Sequence, residues 1–272
     1  LLADALDPGG DSLIVDIGSN GLGIGRRATA DGTGMLLINP HQPWTGISRF
    51  YAFHQTIPGR MNMLGANVIG RPQVAFGTSE HVSWTSTVST APRNTIYMLR
   101  LVPGEPTKYI FDGVPHDMVA ETVTVQVSDG QGGLETRSHT FYSTHFGAFL
   151  MGGAAPWTTQ IAFAIRPTVD EWRGVNALAE LWKVTSVREL KAVHDKYQFS
   201  PANMIAADSL GVTWFADPGP IPNLSDAQRA SCAMGGGALD GSRSDCMWNT
   251  DPDAAAPGIF GPRKLPNLFR TD

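Results

Sequence analysis

Two side chains near the start of the chain could do nucleophilic chemistry together. They are the hydroxyl of Ser19, in Asp16-Ile17-Gly18-Ser19-Asn20-Gly21, and the imidazole of His41, in Asn39-Pro40-His41-Gln42-Pro43. A serine hydroxyl is a weak nucleophile until a nearby base takes its proton. Ser19 does not stand in a G-x-S-x-G elbow, because Ile17 fills the first glycine position, so a conventional serine hydrolase is poorly supported. Pro40 and Pro43 bracket His41 and restrict the backbone that carries its ring. On residue types alone, Ser19 reads as a turn residue and His41 as structural. His54, His116, His139, His145 and His194 show no metal-ligand spacing and read as surface or satisfied core residues.

Gly23-Ile24-Gly25-Arg26-Arg27-Ala28 matches the dinucleotide pattern G-x-G-x-x-A, with 13–17 as a possible preceding strand. That motif needs a helix starting at the glycines to hold a pyrophosphate. Here the chain runs into the turn Asp31-Gly32-Thr33-Gly34 and then an apolar strand. The glycines instead let a strand pass close to other backbone, and no nucleotide cofactor is expected. Cys232 and Cys246 flank a glycine-rich loop, and no further cysteine completes a zinc set. A disulfide there, which would contribute roughly 3 kcal/mol and imply export, is favoured over two buried thiols.

The elements that must position these groups are mostly strands up to about residue 165. In 81–88, Val82, Trp84 and Val88 share one face and polar residues the other. Arg49-Phe50-Tyr51-Ala52-Phe53 and Thr95-Ile96-Tyr97-Met98-Leu99 are strand-like, and 121–127 turns at Ser128-Asp129-Gly130 into 136–142. Trp172, Val175, Leu178 and Trp182 recur at helical spacing. Ser186-Val187-Arg188-Glu189 reads as a capping box opening a second helix, with Val187, Leu190, Val193 and Tyr197 on one side. Strands return at 203–207 and 212–215, and beyond Pro218 the chain reads as loop. This order implies an α+β fold rather than a βαβ series.

With 42% hydrophobic and 17% charged residues, the 272-residue chain should bury a large core. A net charge of −5 without a basic cluster argues against nucleic acid, and no apolar run is long enough to span a bilayer. No signal peptide is visible, and both ends read as cuts through a longer protein.

Taken together, the chain resembles the penicillin-acylase branch of the N-terminal-nucleophile hydrolases. The resemblance is carried by Gly18-Ser19-Asn20-Gly21, Ala30-Asp31-Gly32-Thr33-Gly34-Met35-Leu36-Leu37, Asn39-Pro40-His41-Gln42-Pro43-Trp44 and Arg49-Phe50-Tyr51. Further matching blocks are Ile57-Pro58-Gly59-Arg60, Trp84-Thr85-Ser86-Thr87-Val88, Leu239-Asp240-Gly241-Ser242-Arg243-Ser244-Asp245-Cys246 and Asp251-Pro252-Asp253-Ala254. It implies a precursor that cuts itself between Gly18 and Ser19, leaving 1–18 as the end of a linker and 19–272 as the first part of the catalytic β subunit. Gly18 suits that step by tolerating strained geometry. The freed α-amine then acts as base for its own residue's hydroxyl. The resemblance further implies that His41 orients that amine and that the Val88 N–H donates to the oxyanion, a donor worth roughly 3 kcal/mol in the barrier. A second donor, an asparagine, is expected after Asp272, so the chain by itself should be inactive.

The implied fold is part of an αββα sandwich, completed by later strands and by a separate α chain. The implied enzyme is a periplasmic or secreted amidohydrolase for N-acylated small molecules, such as a lipopeptide antibiotic, an acyl-homoserine lactone or a penicillin. It needs no cofactor, and Ser89-Thr90-Ala91-Pro92-Arg93-Asn94 offers no carboxylate for a calcium ion. The rivals are a hydrolase of different chemistry and a non-catalytic β-rich binding domain using Trp44 and Trp157. Gln42 stands where relatives usually carry an aromatic at the mouth of the acyl pocket, and Arg71 where they carry an apolar or acidic residue. The pair would shorten the acyl chain accepted or favour acyl groups bearing oxygen, unless both merely face solvent. Trp182 is a further candidate for the pocket wall, with a core position as the alternative. Gln42→Phe in the full-length protein is then expected to lengthen the preferred acyl chain, and an unchanged acyl-length profile removes the idea.

Overall fold

The structure is a computed structural model describing residues 18–46, 48–148, 155–168 and 171–272. Residues 1–17, where the end of a linker and a possible strand at 13–17 are expected, lie outside the described residues. The chain opens with β1 (Gly18–Ile24), β2 (Met35–His41), β3 (Phe50–Ile57), β4 (Met61–Val68), β5 (Phe76–Thr78) and β6 (Val82–Val88). It continues through β7 (Asn94–Val102), β8 (Glu105–Phe111), β9 (Val114–Asp117), β10 (Val119–Ser128), β11 (Leu134–Thr144), β12 (Gly147–Ala148) and β13 (Ile161–Pro167). Helices α1 (Glu171–Leu181) and α2 (Val187–Tyr197) precede β14 (Ala202–Asp208) and β15 (Thr213–Ala216). Last come α3 (Asp226–Ser231), β16 (Ala238–Asp240) and β17 (Asn267–Arg270). The architecture is α+β, mostly sheet with few helices, and no helix among the described residues is long and apolar enough to cross a membrane.

The described residues form two compact units. The first, within 1–91, 169–221 and 250–272, holds a seven-stranded sheet in the order β17-β15-β14-β6-β5-β4-β3. One face of this sheet, with Val82, Trp84, Met204, Ala206 and Trp214, packs on Ala177, Leu181, Val187, Leu190 and Val193 of the two helices. Each buried Val, Leu or Met side chain among them contributes about 1.5–3 kcal/mol. The apolar stripe of α1 differs from the sequence expectation. Its buried line runs through Ala177 and Leu181, with Leu178 and Trp182 packed beside the core, while Trp172 and Val175 are exposed. Val88 is likewise half exposed at the end of β6, although Val82 and Trp84 on the same face are buried.

The capping box on α2 is half formed. The Ser186 hydroxyl accepts from the Glu189 N–H at 3.2 Å, but the Glu189 carboxylate reaches back one residue further, to the Thr185 N–H at 2.7 Å. The helix is fastened to the sheet by Asp208 at the end of β14. One of its carboxylate oxygens accepts from the Val187 N–H at 3.0 Å, and the other from Leu210 and Val212.

On the opposite face of the sheet lies the β1–β2 hairpin, touching β6 and β14. Its glycines make the approach possible. A Cβ on Gly21 would stand 2.9 Å from Thr85 Cγ2 and 3.0 Å from Ile205 Cδ1, and one on Gly25 only 2.3 Å from the Thr271 carbonyl carbon. These glycines pass close to other parts of the chain, as the rejection of the nucleotide motif anticipated.

The second unit, within 92–168 and 222–249, has a sheet β13-β7-β8-β9, with β16 parallel to β7, and a ribbon β10-β11-β12. Cys232, at the C-cap of α3, is disulfide-bonded to Cys246. The stretch beyond Pro218 is more ordered than its Pro and Gly content suggests. Ser225 and Gln228 form a complete capping box on α3, and β17 is an edge strand paired with β15.

His194 overturns the expectation of a satisfied core histidine. It is fully buried on α2, stacked on Phe199 with ring centres 4.7 Å apart, and neither ring nitrogen has a hydrogen-bond partner among the described residues. Burial, reinforced by repulsion from Lys191, lowers its pKa from 6.5 to about 3. As pH falls, the unfolded chain takes up a proton near 6.5 and the folded chain only near 3. Its contribution to stability is therefore complete above about pH 6.5 and shrinks between those values, by up to about 1.4 kcal/mol per pH unit. Denaturant unfolding at pH 7 and pH 5 should show a loss on acidification that His194→Leu reduces, and an equal loss in the variant would disprove this assignment.

Candidate active site

The hairpin register pairs Gly18 with His41 and Ser19 with Pro40. Pro40 has no N–H to give, so the ladder makes no bond to Ser19 from that position. The Ser19 hydroxyl donates to the Gly18 carbonyl at 2.5 Å, and the main-chain N–H of His41 donates to Ser19 Oγ at 3.4 Å. Side chains alternate across a strand. Ser19 and Pro40 point toward the seven-stranded sheet, as Gly21 does, whereas Gly18, Asn20, Asn39 and His41 belong to the outward face. The imidazole therefore lies beside Gly18, whose built Cβ would be 3.5 Å from His41 Nδ1, an ordinary contact that leaves room for a side chain. Space alone does not demand glycine at this position.

Val88 ends the strand that β1 covers. The Ser79 N–H bonds to the Val82 carbonyl at 2.9 Å on the β5 side, and the Ser209 N–H to the His81 carbonyl at 2.8 Å on the β14 side. Even-numbered residues of β6 therefore turn their N–H groups toward β5. Since β5 pairs only with Ser83 and Trp84, the Val88 N–H points to a side with no strand partner among the described residues. The Val88 carbonyl turns instead to the Asn203 side-chain amide at 2.9 Å, which also reaches Thr87 Oγ1 at 3.3 Å. Sequence reasoning missed Asn203, and an asparagine at a strand start carries no signal that would have singled it out.

Gln42 follows β2 directly and is partly exposed, while the Arg71 side chain is exposed and its carbonyl accepts from the Tyr51 hydroxyl at 2.8 Å. Trp182 packs against the core on the helical side of the sheet, with the Arg60 guanidinium 5.7 Å and the Lys183 ammonium 5.0 Å from its ring centre. It lines a cavity of about 470 Å³ with Arg60, Asn62, Glu80 and His81, which none of Ser19, His41, Val88, Gln42 or Arg71 touches. A second cavity, of about 350 Å³, runs beside β1 between Gly21, Leu22, Ile205, Phe215 and Leu268. Thus the structure brings Ser19 and His41 together on one hairpin and lays that hairpin on the strand of Val88. Trp182 stands apart from them.

The fold that carries this hairpin has counterparts among known proteins. The family model for penicillin amidase matches residues 2–272, and the chain belongs to the penicillin amidase family. It is 43% identical to aculeacin-A acylase of Actinoplanes utahensis, over 96% of this chain and 34% of that protein. To an acyl-homoserine lactone acylase, PvdQ, of Pseudomonas fluorescens it is 37% identical, over 95% of this chain and 34% of that one. Its fold matches a thermostable penicillin G acylase from Alcaligenes faecalis with a TM-score of 0.72 at 19% identity, covering 92% of this chain and 42% of that chain. The chain thus spans about a third of the length of these curated relatives.

Asn203→Ala should lower stability against denaturant by about 0.5–1.5 kcal/mol, the net worth of one hydrogen bond. Unchanged stability would show that the Val88 end of β6 holds its place without that amide.

Proposed function

We propose that the complete protein is an acylase that hydrolyses the amide bond of N-acylated small molecules, with Ser19 as its nucleophile after the chain cuts itself at Gly18–Ser19. The observation that carries this reading is the placement of the Ser19 hydroxyl against the carbonyl of Gly18, the group that it must attack. In the cut, Oγ adds to the Gly18 carbonyl carbon, the bond to the Ser19 nitrogen breaks, and the hydroxyl proton passes to that nitrogen. Water then hydrolyses the ester, leaving a carboxylate on Gly18 and a free α-amine beside the regenerated hydroxyl.

That amine becomes the base for substrate cleavage, its ordinary pKa of about 8 suiting proton uptake near neutrality. Support comes from the faces of the hairpin: the imidazole is turned to the side away from the hydroxyl, so it is not poised as the hydroxyl's own base. His41 instead orients the amine, and the Val88 N–H donates to the oxyanion of the tetrahedral intermediate. A second donor, an asparagine side chain, comes from chain beyond Asp272, and the remaining layers of the αββα sandwich come from there and from a separate α chain. Leu22, Met35 and Leu37, exposed on the outward face of the hairpin, are the surface that those layers cover. Residues 1–272 alone are accordingly inactive.

The compounds named for the relatives, acyl-homoserine lactones and aculeacin-A, fit this chemistry, as do a lipopeptide antibiotic and a penicillin. Gln42 and Arg71 bias the acyl group toward shorter or oxygen-bearing chains. The disulfide favours an exported protein, periplasmic or secreted.

N-terminal sequencing of the full-length product should find a new terminus at Ser19. Ser19→Ala should leave the precursor uncut and lower amidase turnover by at least about a thousand-fold. Full amidase activity in a protein whose Gly18–Ser19 bond stays whole would overturn the proposal.

A further inference from the structure

The imidazole of His41 has one side-chain partner on its own hairpin. Asn20 lies opposite Asn39 in the register, which makes His41 its diagonal neighbour on the same outward face. The Asn20 amide nitrogen stands 3.4 Å from His41 Nε2. An amide NH2 only donates, so Nε2 accepts, and the neutral ring carries its proton on Nδ1. Nδ1 is the nitrogen that faces Gly18. A histidine whose second nitrogen is held is fixed in both tautomer and ring plane.

We propose that Asn20 is the positioning residue of His41, its amide fixing the ring so that the protonated Nδ1 is presented to the Gly18–Ser19 link. The inference rests on the reading of Ser19 and His41 above and adds a residue to it. Asn20 touches neither Ser19 Oγ nor the carbonyl to be cut, so it acts only through the imidazole. The constraint is purely local, since both residues sit on the two strands of one hairpin. It therefore operates in the precursor and in the cut enzyme alike, provided that the hairpin keeps its register.

The test is a double-mutant cycle on the full-length precursor, reading the self-cleavage rate and, in cut protein, kcat and KM on a chromogenic fatty-acyl anilide. Asn20→Ala should slow self-cleavage and lower kcat roughly ten-fold with KM little changed. In a His41→Ala background the same substitution should cost nothing further, because the group it positions is gone. Asn20→Asp keeps the size but loses the donor, so it should behave like Asn20→Ala, and it reads the donor even where the alanine variant loses stability. Losses that multiply in the double variant, or an Asn20→Asp protein with wild-type rates, overturn the inference while leaving the nucleophile reading intact. Wild-type self-cleavage and turnover in His41→Ala would overturn the reading of the site, and this inference with it.

Discussion

The close approach of β1 to the face of β6 and β14 sets the geometry of this region. Two sheets packed face to face normally stand about 10 Å apart, with side chains between them. Here the hairpin presents glycine at the points of contact, and a single methyl at Gly21 would press on Thr85 and Ile205. With no side chains to rearrange, the strand is seated by its backbone, and Ser19 two residues earlier inherits that placement. Val88 lies on the strand being touched. Ser19 and Val88 thus belong to strands that are not hydrogen-bonded to each other but are held in contact face to face.

Strand alternation then decides what chemistry the pair can do. Ser19 and His41 stand side by side in the hairpin, yet the hydroxyl points inward and the imidazole outward, so the contact between them is made by the His41 backbone N–H. A Ser–His dyad needs the ring nitrogen on the hydroxyl. In the proposed reading the base for Ser19 is its own nitrogen, once the bond to Gly18 is opened. The same alternation sends His41 Nδ1 to Gly18 and Nε2 to Asn20, which suits a ring that steers a backbone group.

Much of this was legible because it depends on short-range pattern. Alternation marked β6 and the β10–β11 ribbon, and the glycine run without a following helix marked a strand that passes close to other parts of the chain. The helices were found from their spacing, but not the face that α1 buries, because the core it joins includes Trp84 and Met204, far away in sequence. His194 could not be read at all. A histidine in an apolar stripe has the same sequence signature whether its nitrogens find partners or not, and only the packing of Phe199 and Trp214 around it decides. The site itself was named through resemblance, since a serine after glycine carries no signal in isolation. What the sequence could not convey is that the hydroxyl and the imidazole occupy opposite faces of one hairpin.

One strand connects the buried half of the first unit to its chemical half. β14 carries Asp208 at one end, where the carboxylate caps α2, and Asn203 near the other, where the amide holds the Val88 carbonyl. Between them Met204 and Ala206 face the helices, while Ile205 lies beneath Gly21. A strand advances about 3.3 Å per residue and shifts as a unit, because sliding its register by one position would exchange the two faces. A change in the helical core that moved β14 would therefore move the seat of β1 and the hold on Val88 together. The spacing between the Ser19 hydroxyl and Val88 is thus protected by a core to which neither residue belongs, and under the proposed mechanism the apolar packing of α1 and α2 is a condition for the chemistry on the far side of the sheet.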